Sequence, residues 1–524
     1  MAVSIIEVPD QFNIGSALAD TPIRQGLGNK TAIICKDQVL TYEDLYNSVN
    51  KTGNLFTDLG VLREQRVLLL LPDSAEFIFN LVGVMKMGAV AVPLNTLLKP
   101  KDYLYFLNDS RAVALVVSAD YLPMVEEILG QARYLKNVIV VGETNNPKHI
   151  NYYKEMSKAS PELEPADTSK DDSAFWLYSS GTTGQPKGTI HLHHDMLFAA
   201  SYFDSFVTNI TPDDRIFSVS KLFFSYGNVN SIYLPLLSGA TVILNPEKPE
   251  ANRILEIVTK HKPTIFFGVP TSYSSILKAV DQGDDSYDLS SIRLFVSAGE
   301  NLPPSLWQKW KDRFGSEICD GIGSTEVGYI YISNRPGQIK PGSSGKALPG
   351  YELKVVDEDG VEVPPGQTGS LLVKGDGVAS GYWNKHHKTV KAFIGEWYVS
   401  GDQFSVDEDG FYWYTGRGDD MVKVGGIWVS PIEVESLLLE HPQVDECAVV
   451  GQMDHNGLLK TAAFVVLRGS AEGSEEMTKE LLDHLRAKAA AYKVPRWVHY
   501  HKELPKTASG KIQRFRLRQI LGDK

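Results

Sequence analysis

Cysteine is scarce in this chain: Cys35, Cys319 and Cys447 are the only three in 524 residues. They are far apart and odd in number, which argues against a disulfide framework or a cysteine-rich zinc cluster and predicts a reducing, cytoplasmic setting. Long apolar runs are missing too. The best one, "FIFNLVGVMKMGAVAVPL", is broken by Lys86 and reaches a proline before its end, so no membrane-spanning helix of about 18 apolar residues is expected. The N-terminal "MAVSIIEVPDQF" has no basic start, and acids interrupt its apolar residues; it does not read as a signal peptide. Positive charge is in deficit, with 52 Lys and Arg against 64 Asp and Glu, which argues against general nucleic-acid binding. Histidines cluster only in "HLHH" (His191, His193, His194), with no further His/Cys group or H-E-x-x-H beside it, so these read as structural or surface residues rather than metal ligands. Internal repeats and low-complexity tracts are absent.

What remains is an ordinary globular composition, 43% hydrophobic. At about 100–200 residues per domain, the length predicts two to four domains. Early in the chain helix and strand patterns alternate. Leu45, Val49, Phe56 and Leu59 share a helical face, "RVLLLL" reads as a buried strand, and "SAEFIFNLVGVMKMG" as a helix opened by Ser74. "AVAVPL", "KDYLYFLND" and "AVALVVS" continue the rhythm, which returns from 212 to 322. Continuous apolar strands separated by helices predict an α/β fold with parallel sheet. From about 342 the pattern becomes hairpins punctuated by two "DEDG" segments, which read as turns because the later ligand positions of a calcium loop are missing. A boundary is expected near 415–420, dividing a large domain (1–418), with α/β subdomains and a β-rich subdomain, from a small α+β domain (419–524). The small domain is predicted to hold a helix over Ser430–Glu440, strands "CAVVGQ" and "AAFVVL", a helix over Ser474–Ala490 and a basic tail. Between Lys493 and Arg518 that tail carries eight Lys or Arg and one acid, Glu503. It reads either as a solvated tail or as a polyphosphate site.

One segment, "YSSGTTGQPKG" (Tyr178–Gly188), packs five hydroxyls, three glycines and one lysine into eleven residues. Glycine lets the backbone bend and exposes its N–H groups; hydroxyls donate, and lysine adds a point charge. All of this suits an anion. It is not a Walker loop. The position that needs its second glycine holds Pro186, and Lys187 is followed by Gly188 rather than Ser or Thr.

This segment resembles the signature of adenylate-forming enzymes: acyl-CoA synthetases, adenylation domains of peptide synthetases, and luciferases. "SAGENLP" (297–303), "DGIGSTEVG" (320–328), "YVSGD" (398–402), "YTGRGDDMVKVGG" (414–426) and "LPKTASGKIQR" (504–514) resemble further motifs of that family, in order. The resemblance implies ATP, Mg2+ and coenzyme A as reactants or cofactors. It implies Ser179, Ser180, Gly181, Thr182, Thr183, Gly184 and Lys187 on the phosphates, with Glu326 and Thr182 at magnesium, for which a carboxylate is a hard oxygen ligand. Glu300 and Asp320 fall near the adenine, with Gly321, Ile322 and Thr325 in the same turn. Asp402 and Arg417 fall on the ribose or phosphate. Lys511 would bridge carboxylate and α-phosphate as the acyl-adenylate forms, an effect of about 3–4 kcal/mol for an electrostatic stabiliser of this kind. Asp419 matches the hinge, Gly425 and Gly426 the approach to pantetheine, and Trp428 either the thiol tunnel or the core.

"KLFFSYGNVN" (221–230) follows a strand, and Phe223, Phe224 and Tyr226 suit a flat ring, although the two phenylalanines also suit a core. Together with "AFWLYSSGTTG", "DGIGSTE" and "ELPKTASGKIQRF" it resembles the benzoate-CoA ligases. That implies a small aromatic carboxylic acid as substrate, contacted by Gly299, Gly323, Ser225, Tyr329 and Lys511, in a monomer or homodimer. Ser225 and Tyr329 stand where the resemblance leads one to expect Ala and His, and a hydroxyl pair there would favour a hydroxylated or amino-substituted benzoate. Three other readings stay open: an adenylation protein that loads a carrier protein, a ligase for another small acid, and a non-catalytic ATP sensor.

Overall fold

The computed structural model describes residues 6–179, 185–282, 287–418, 420–424, 427–454, 458–469, 471–506 and 511–522. Two large sheets, a smaller β-rich unit and a C-terminal unit account for its strands.

The first large sheet runs in the order Gly381–Tyr382, Lys187–Leu192, Ser173–Ser179, Val90–Pro93, Arg66–Leu70, Ala114–Ser118, Asn137–Val141, Ile150–Asn151. Its strands from Ser173–Ser179 onward are parallel, and Lys187–Leu192 folds back antiparallel on Ser173–Ser179. The second places Ile318–Gly323, Leu294–Ser297, Ile265–Gly268, Arg215–Ser218, Thr241–Leu244 and Thr31–Cys35 side by side and parallel. Antiparallel strands finish both of its edges. These strands are apolar runs because helices cover both faces and leave no solvent side for polar alternation.

The helices between the sheets start where the sequence says they should. Thr41 and Asp44 form a reciprocal cap on Tyr42–Asp58, and Ser74 caps Ala75–Lys86. Every residue of Ala75–Lys86 except Glu76 is buried, Lys86 included, which fits a helix packed on nearly all sides. The Lys86 ammonium is neutralised by Asp20 at 2.5 Å and hydrogen-bonds Asn50 at 2.7 Å, as a buried charge requires. No described helix is long and apolar enough to cross a membrane.

The β-rich unit contains Tyr351–Val356, Gly369–Gly375, Trp397–Val406 and Tyr412–Arg417. Both "DEDG" segments are turns. Asp357 Oδ1 accepts from the N–H groups of Asp359 and Val361, and Asp407 Oδ1 accepts from those of Asp409 and Phe411. Each leading carboxylate is thus used to close its own turn.

Among the described residues the C-terminal unit has a three-stranded sheet, Val444–Met453 and Leu459–Leu467 antiparallel, then Trp497–Tyr500 parallel, and a separate antiparallel pair, Val422–Val424 with Ile427–Val429. Helices Pro431–Leu439, Glu475–Arg486 and Arg514–Gly522 accompany them. The helix expected over 474–490 starts at its cap Ser474 but ends at Arg486. Leu481 and Leu485 are its buried residues; the alanines that follow have helix propensity but no apolar face to bury.

Candidate active site

The C-terminal ends of the parallel strands in the second sheet carry several of the candidate residues, and this is the usual ligand edge of such sheets. Gly299 and Glu300 follow Leu294–Ser297, Asp320–Gly323 closes its own strand, and Phe224–Tyr226 lies just past Arg215–Ser218. The antiparallel return of Lys187–Leu192 on Ser173–Ser179 brings Lys187 opposite Ser179.

Glu326 is the centre of the first cluster and is nearly fully buried. Its Oε1 accepts from the Tyr382 hydroxyl at 2.8 Å and lies 3.4 Å from both Lys187 Nζ and Ser179 Oγ. Burial alone would push this carboxyl up. The Lys187 ammonium and the Tyr382 hydroxyl outweigh burial and hold it below the ordinary glutamate value. The Lys187 ammonium also sits 4.0 Å from the centre of the Tyr382 ring, a cation–π contact in a desolvated place. All three contacts to the carboxylate fall on Oε1, and an anionic oxygen donor of this kind fits a hard divalent cation. Thr325 begins the turn that carries Glu326, and its carbonyl accepts from His191 Nε2 at 2.7 Å.

The second cluster is the pair Asp402–Arg417 across the hairpin Trp397–Val406 and Tyr412–Arg417. Arg417 Nη1 donates to Asp402 Oδ1 at 3.0 Å. Burial raises the Asp402 carboxyl, against the pull of Arg417 and of Lys511. Gly401 makes the approach possible: its φ is +74°, and a Cβ there would come within 3.1 Å of Arg417 Nη2. Burial likewise raises the half-buried Glu300, opposed by Lys511, Lys506 and Arg514. Lys511, exposed on the C-terminal loop, therefore projects its charge onto two carboxylates of the large domain.

Asp320 is pushed up to about 8 by burial. The Ser297 hydroxyl on the neighbouring strand and the N–H groups of Leu302 and Gly321 oppose that rise. The same turn needs Gly323, where a Cβ would stand 2.4 Å from the Tyr329 carbonyl.

Beside it lies an aromatic cluster, the candidate slot for a flat ring. Tyr226 stacks on Tyr329 with centroids 6.1 Å apart and meets Phe267 edge-on, while Phe224 leans on Phe223 at 4.6 Å. The hydroxyl pair expected at Ser225 and Tyr329 is already committed. Ser225 donates to the Gly328 carbonyl, and Tyr329 donates to Asn230 Oδ1. Asn230 is fully buried in a π-helical turn and donates in its own right to Ser218 Oγ at 3.2 Å. The expected donors therefore shape the wall instead of standing free in it.

The structure thus brings together Ser179, Lys187, Thr325 and Glu326, then Asp402 and Arg417 with Lys511 and Glu300, then Asp320, Gly321, Ile322 and Gly323 with the slot. Ser180, Gly181, Thr182, Thr183, Gly184, Asp419, Gly425 and Gly426 lie outside the described residues. Trp428 pairs with Lys423 on Ile427–Val429, and its side chain lies outside them too. Tyr382 stands in no segment that signalled it, while Asn230 and His191 lie in quoted segments (221–230 and "HLHH") that gave them no such contacts. His191 and His193 are fully buried. His193 accepts from the Ile14 N–H at 3.1 Å, and burial lowers its pKa to about 4, so "HLHH" is a packing element.

The AMP-binding enzyme family matches residues 23–383, and the AMP-binding enzyme C-terminal domain matches 433–511. The benzoate–CoA ligase of Thauera aromatica is 42% identical over 98% of this chain and 97% of its own length. An anthranilate CoA ligase solved with anthranoyl-AMP superposes with a TM-score of 0.93 at 43% identity, covering 98% of both chains. A benzoate CoA ligase from Burkholderia xenovorans LB400 gives 0.89 at 39% identity, over 97% of this chain and 100% of that one. With both domains matched and the likeness running along nearly its whole length, this chain belongs to the AMP-binding enzyme family and shares the family's fold of a large and a small domain.

Proposed function

We propose that this enzyme is an ATP-dependent aryl-CoA ligase that converts benzoate or a substituted benzoate, with coenzyme A, to an aryl-CoA, AMP and pyrophosphate. The observation that carries the reading is one juxtaposition: an aromatic slot (Phe224, Tyr226, Tyr329) beside the strand-end turn Asp320–Gly323, with the Lys511 charge directed at Glu300 and Asp402. The relatives named for benzoate and anthranilate support the acid class.

The first step joins two anions, so the site must offset their repulsion away from water. The substrate carboxylate attacks the α-phosphorus, and the bond to the departing pyrophosphate breaks. Lys511 offsets the charge on the attacking oxygen and α-phosphate. Lys187, Thr182 and Thr183 hold the leaving phosphates, Asp402 accepts from the ribose hydroxyls, and Arg417 orients Asp402. Glu326 and Thr182 would hold Mg2+, which supplies further charge neutralisation on the phosphates. In the second step the CoA thiol attacks the acyl carbon, and AMP leaves with the oxygen that came from the acid. The small domain is taken to start at 419 and to turn about Asp419 between steps, bringing Gly425, Gly426 and Trp428 to the pantetheine arm. Three buried free thiols, with Cys35 raised to about 11 by burial, fit a reducing compartment such as the cytoplasm.

A panel of aryl and short aliphatic acids, each with ATP, Mg2+ and free CoA, tests the reading through kcat/KM for thioester formation. Benzoate or a hydroxy- or amino-benzoate is expected to lead. Activity only with a phosphopantetheine-bearing carrier protein would move the enzyme to the carrier-loading class.

A further inference from the structure

The loop that carries Lys511 is anchored by residues with no part in the chemistry above. At its base Lys506 bridges Ile512, and the Gln513 N–H donates to the Pro505 carbonyl at 2.8 Å. Lys506 Nζ reaches Glu446 Oε1 at 2.6 Å. The chain then passes straight into the helix Arg514–Gly522. At the first position of that helix, Arg514 Nη2 straddles the Glu435 carboxylate, 2.8 Å from Oε1 and 2.7 Å from Oε2. Both side chains are largely buried, at 18% and 10% exposure, and Glu435 Oε1 also accepts from the Val449 N–H at 2.7 Å. One turn on, Arg518 donates to Asp420 Oδ1 at 2.8 Å.

Glu435 belongs to the helix Pro431–Leu439. The cap of that helix, Ser430, donates its hydroxyl to the carbonyl of Thr415 on the last strand of the large domain's hairpin. An unbroken set of contacts therefore runs from Thr415 through Ser430, its helix, Glu435 and Arg514 to a point three residues past Lys511. A buried ion pair is weak evidence for net stability, because desolvation offsets its Coulomb gain. A fixed geometry three residues from Lys511 is a better account of why one stands here.

We propose that Arg514 and Glu435 are positioning residues for Lys511: their buried ion pair ties the lysine loop to the helix that is itself hydrogen-bonded to the large domain. Docking of the small domain and aiming of the lysine are then one event. This rests on the role given to Lys511 above.

The test separates the half-reactions in the full-length enzyme. The double variant Arg514→Met/Glu435→Gln removes both charges, so no uncompensated charge is buried, and the amide oxygen introduced at position 435 can still accept from the Val449 N–H. Misplacement of a catalytic group by about 1 Å lowers rates by roughly 100-fold. The expected result is a loss of roughly 10- to 100-fold in kcat for acid-dependent pyrophosphate release without CoA, with KM for acid and ATP little changed. Thioester formation from supplied aryl-adenylate should stay within about twofold. Adenylation within twofold of the parent, or an equal fall in both half-reactions, overturns the proposal. Arg514→Lys, which keeps the charge but not the reach of Arg Nη2, is read by the same two rates should the double variant fail to fold. Lys511→Ala is run alongside: if it spares adenylation, the role of Lys511 itself is wrong, whereas if it alone cripples adenylation, only the positioning inference falls.

Discussion

Tyr382 and Lys187 act on one carboxylate from two directions: the phenol donates to Glu326 at 2.8 Å while the ammonium rests on the same phenol ring, 4.0 Å from its centre. Tyr382 thereby fixes both the acid and the cation of the cluster proposed to hold the outgoing phosphates and their metal.

Removing that hydroxyl should therefore be felt in the reaction. A hydrogen bond to a charged group contributes about 1.5–3 kcal/mol, so Tyr382→Phe is expected to lower kcat/KM for ATP by about tenfold or more. The Glu326 carboxyl is held low in the native enzyme. Losing the Tyr382 donor raises it, so the acid limb of the pH–rate profile should move to higher pH. An unchanged acid limb would show that Glu326 does not govern it.

Lys511→Ala is expected to cripple pyrophosphate release while sparing thioester formation from supplied benzoyl-adenylate. A bulky residue at Gly426 is expected to do the opposite. Single-turnover measurement of each half-reaction checks both, and equal loss in both halves would contradict the division of labour.

Asp320 makes a prediction about stability. Burial holds its carboxyl at about 8, whereas in the unfolded chain it titrates near 4. The folded state thus keeps a proton that the unfolded state releases. The resulting contribution to stability is complete below about pH 4 and is lost as pH rises toward and through about 8. Asp320→Asn, which mimics the neutral acid, should flatten this part of the stability–pH curve. Parallel curves for the two proteins, followed by urea unfolding, would refute it.

Asn230 is expected to govern the acid and not the nucleotide. Asn230→Leu leaves the buried Tyr329 hydroxyl without its acceptor, a loss of about 1–3 kcal/mol, and frees the ring that forms one side of the slot. KM for the aryl acid should rise while KM for ATP stays put. Steady-state kinetics with each substrate varied in turn decides it.

Part of this is legible in the sequence for physical reasons. Glu326, Asp402 and Lys511 stand in short segments that resemble the motifs of adenylate-forming enzymes, which need a hard metal ligand, an acceptor for hydroxyls and a cation, and Ser74, Thr41 and Ser430 announce helices through local hydrogen bonds. Tyr382, Asn230 and Glu435 carry no such local mark. Tyr382 meets Glu326 across 56 positions and Arg514 meets Glu435 across 79, so only the tertiary fold defines those contacts. Ser225 and Tyr329 flank the slot, but their protons go to Gly328 and Asn230, because a buried hydroxyl takes a protein acceptor when one is in reach. The helix after Ser474 stops at Arg486, short of the alanines, because alanine's propensity counts for little where nothing is buried.

The central claim is that the acid passes through an acyl-adenylate. Benzoate labelled with 18O in both carboxylate oxygens, turned over with ATP, Mg2+ and CoA, tests it by mass spectrometry of the nucleotide product. Attack of the carboxylate on the α-phosphorus, followed by thiol attack on the acyl carbon, predicts AMP that carries one 18O for each aryl-CoA formed. Unlabelled AMP, or ADP and labelled phosphate in its place, would contradict the account.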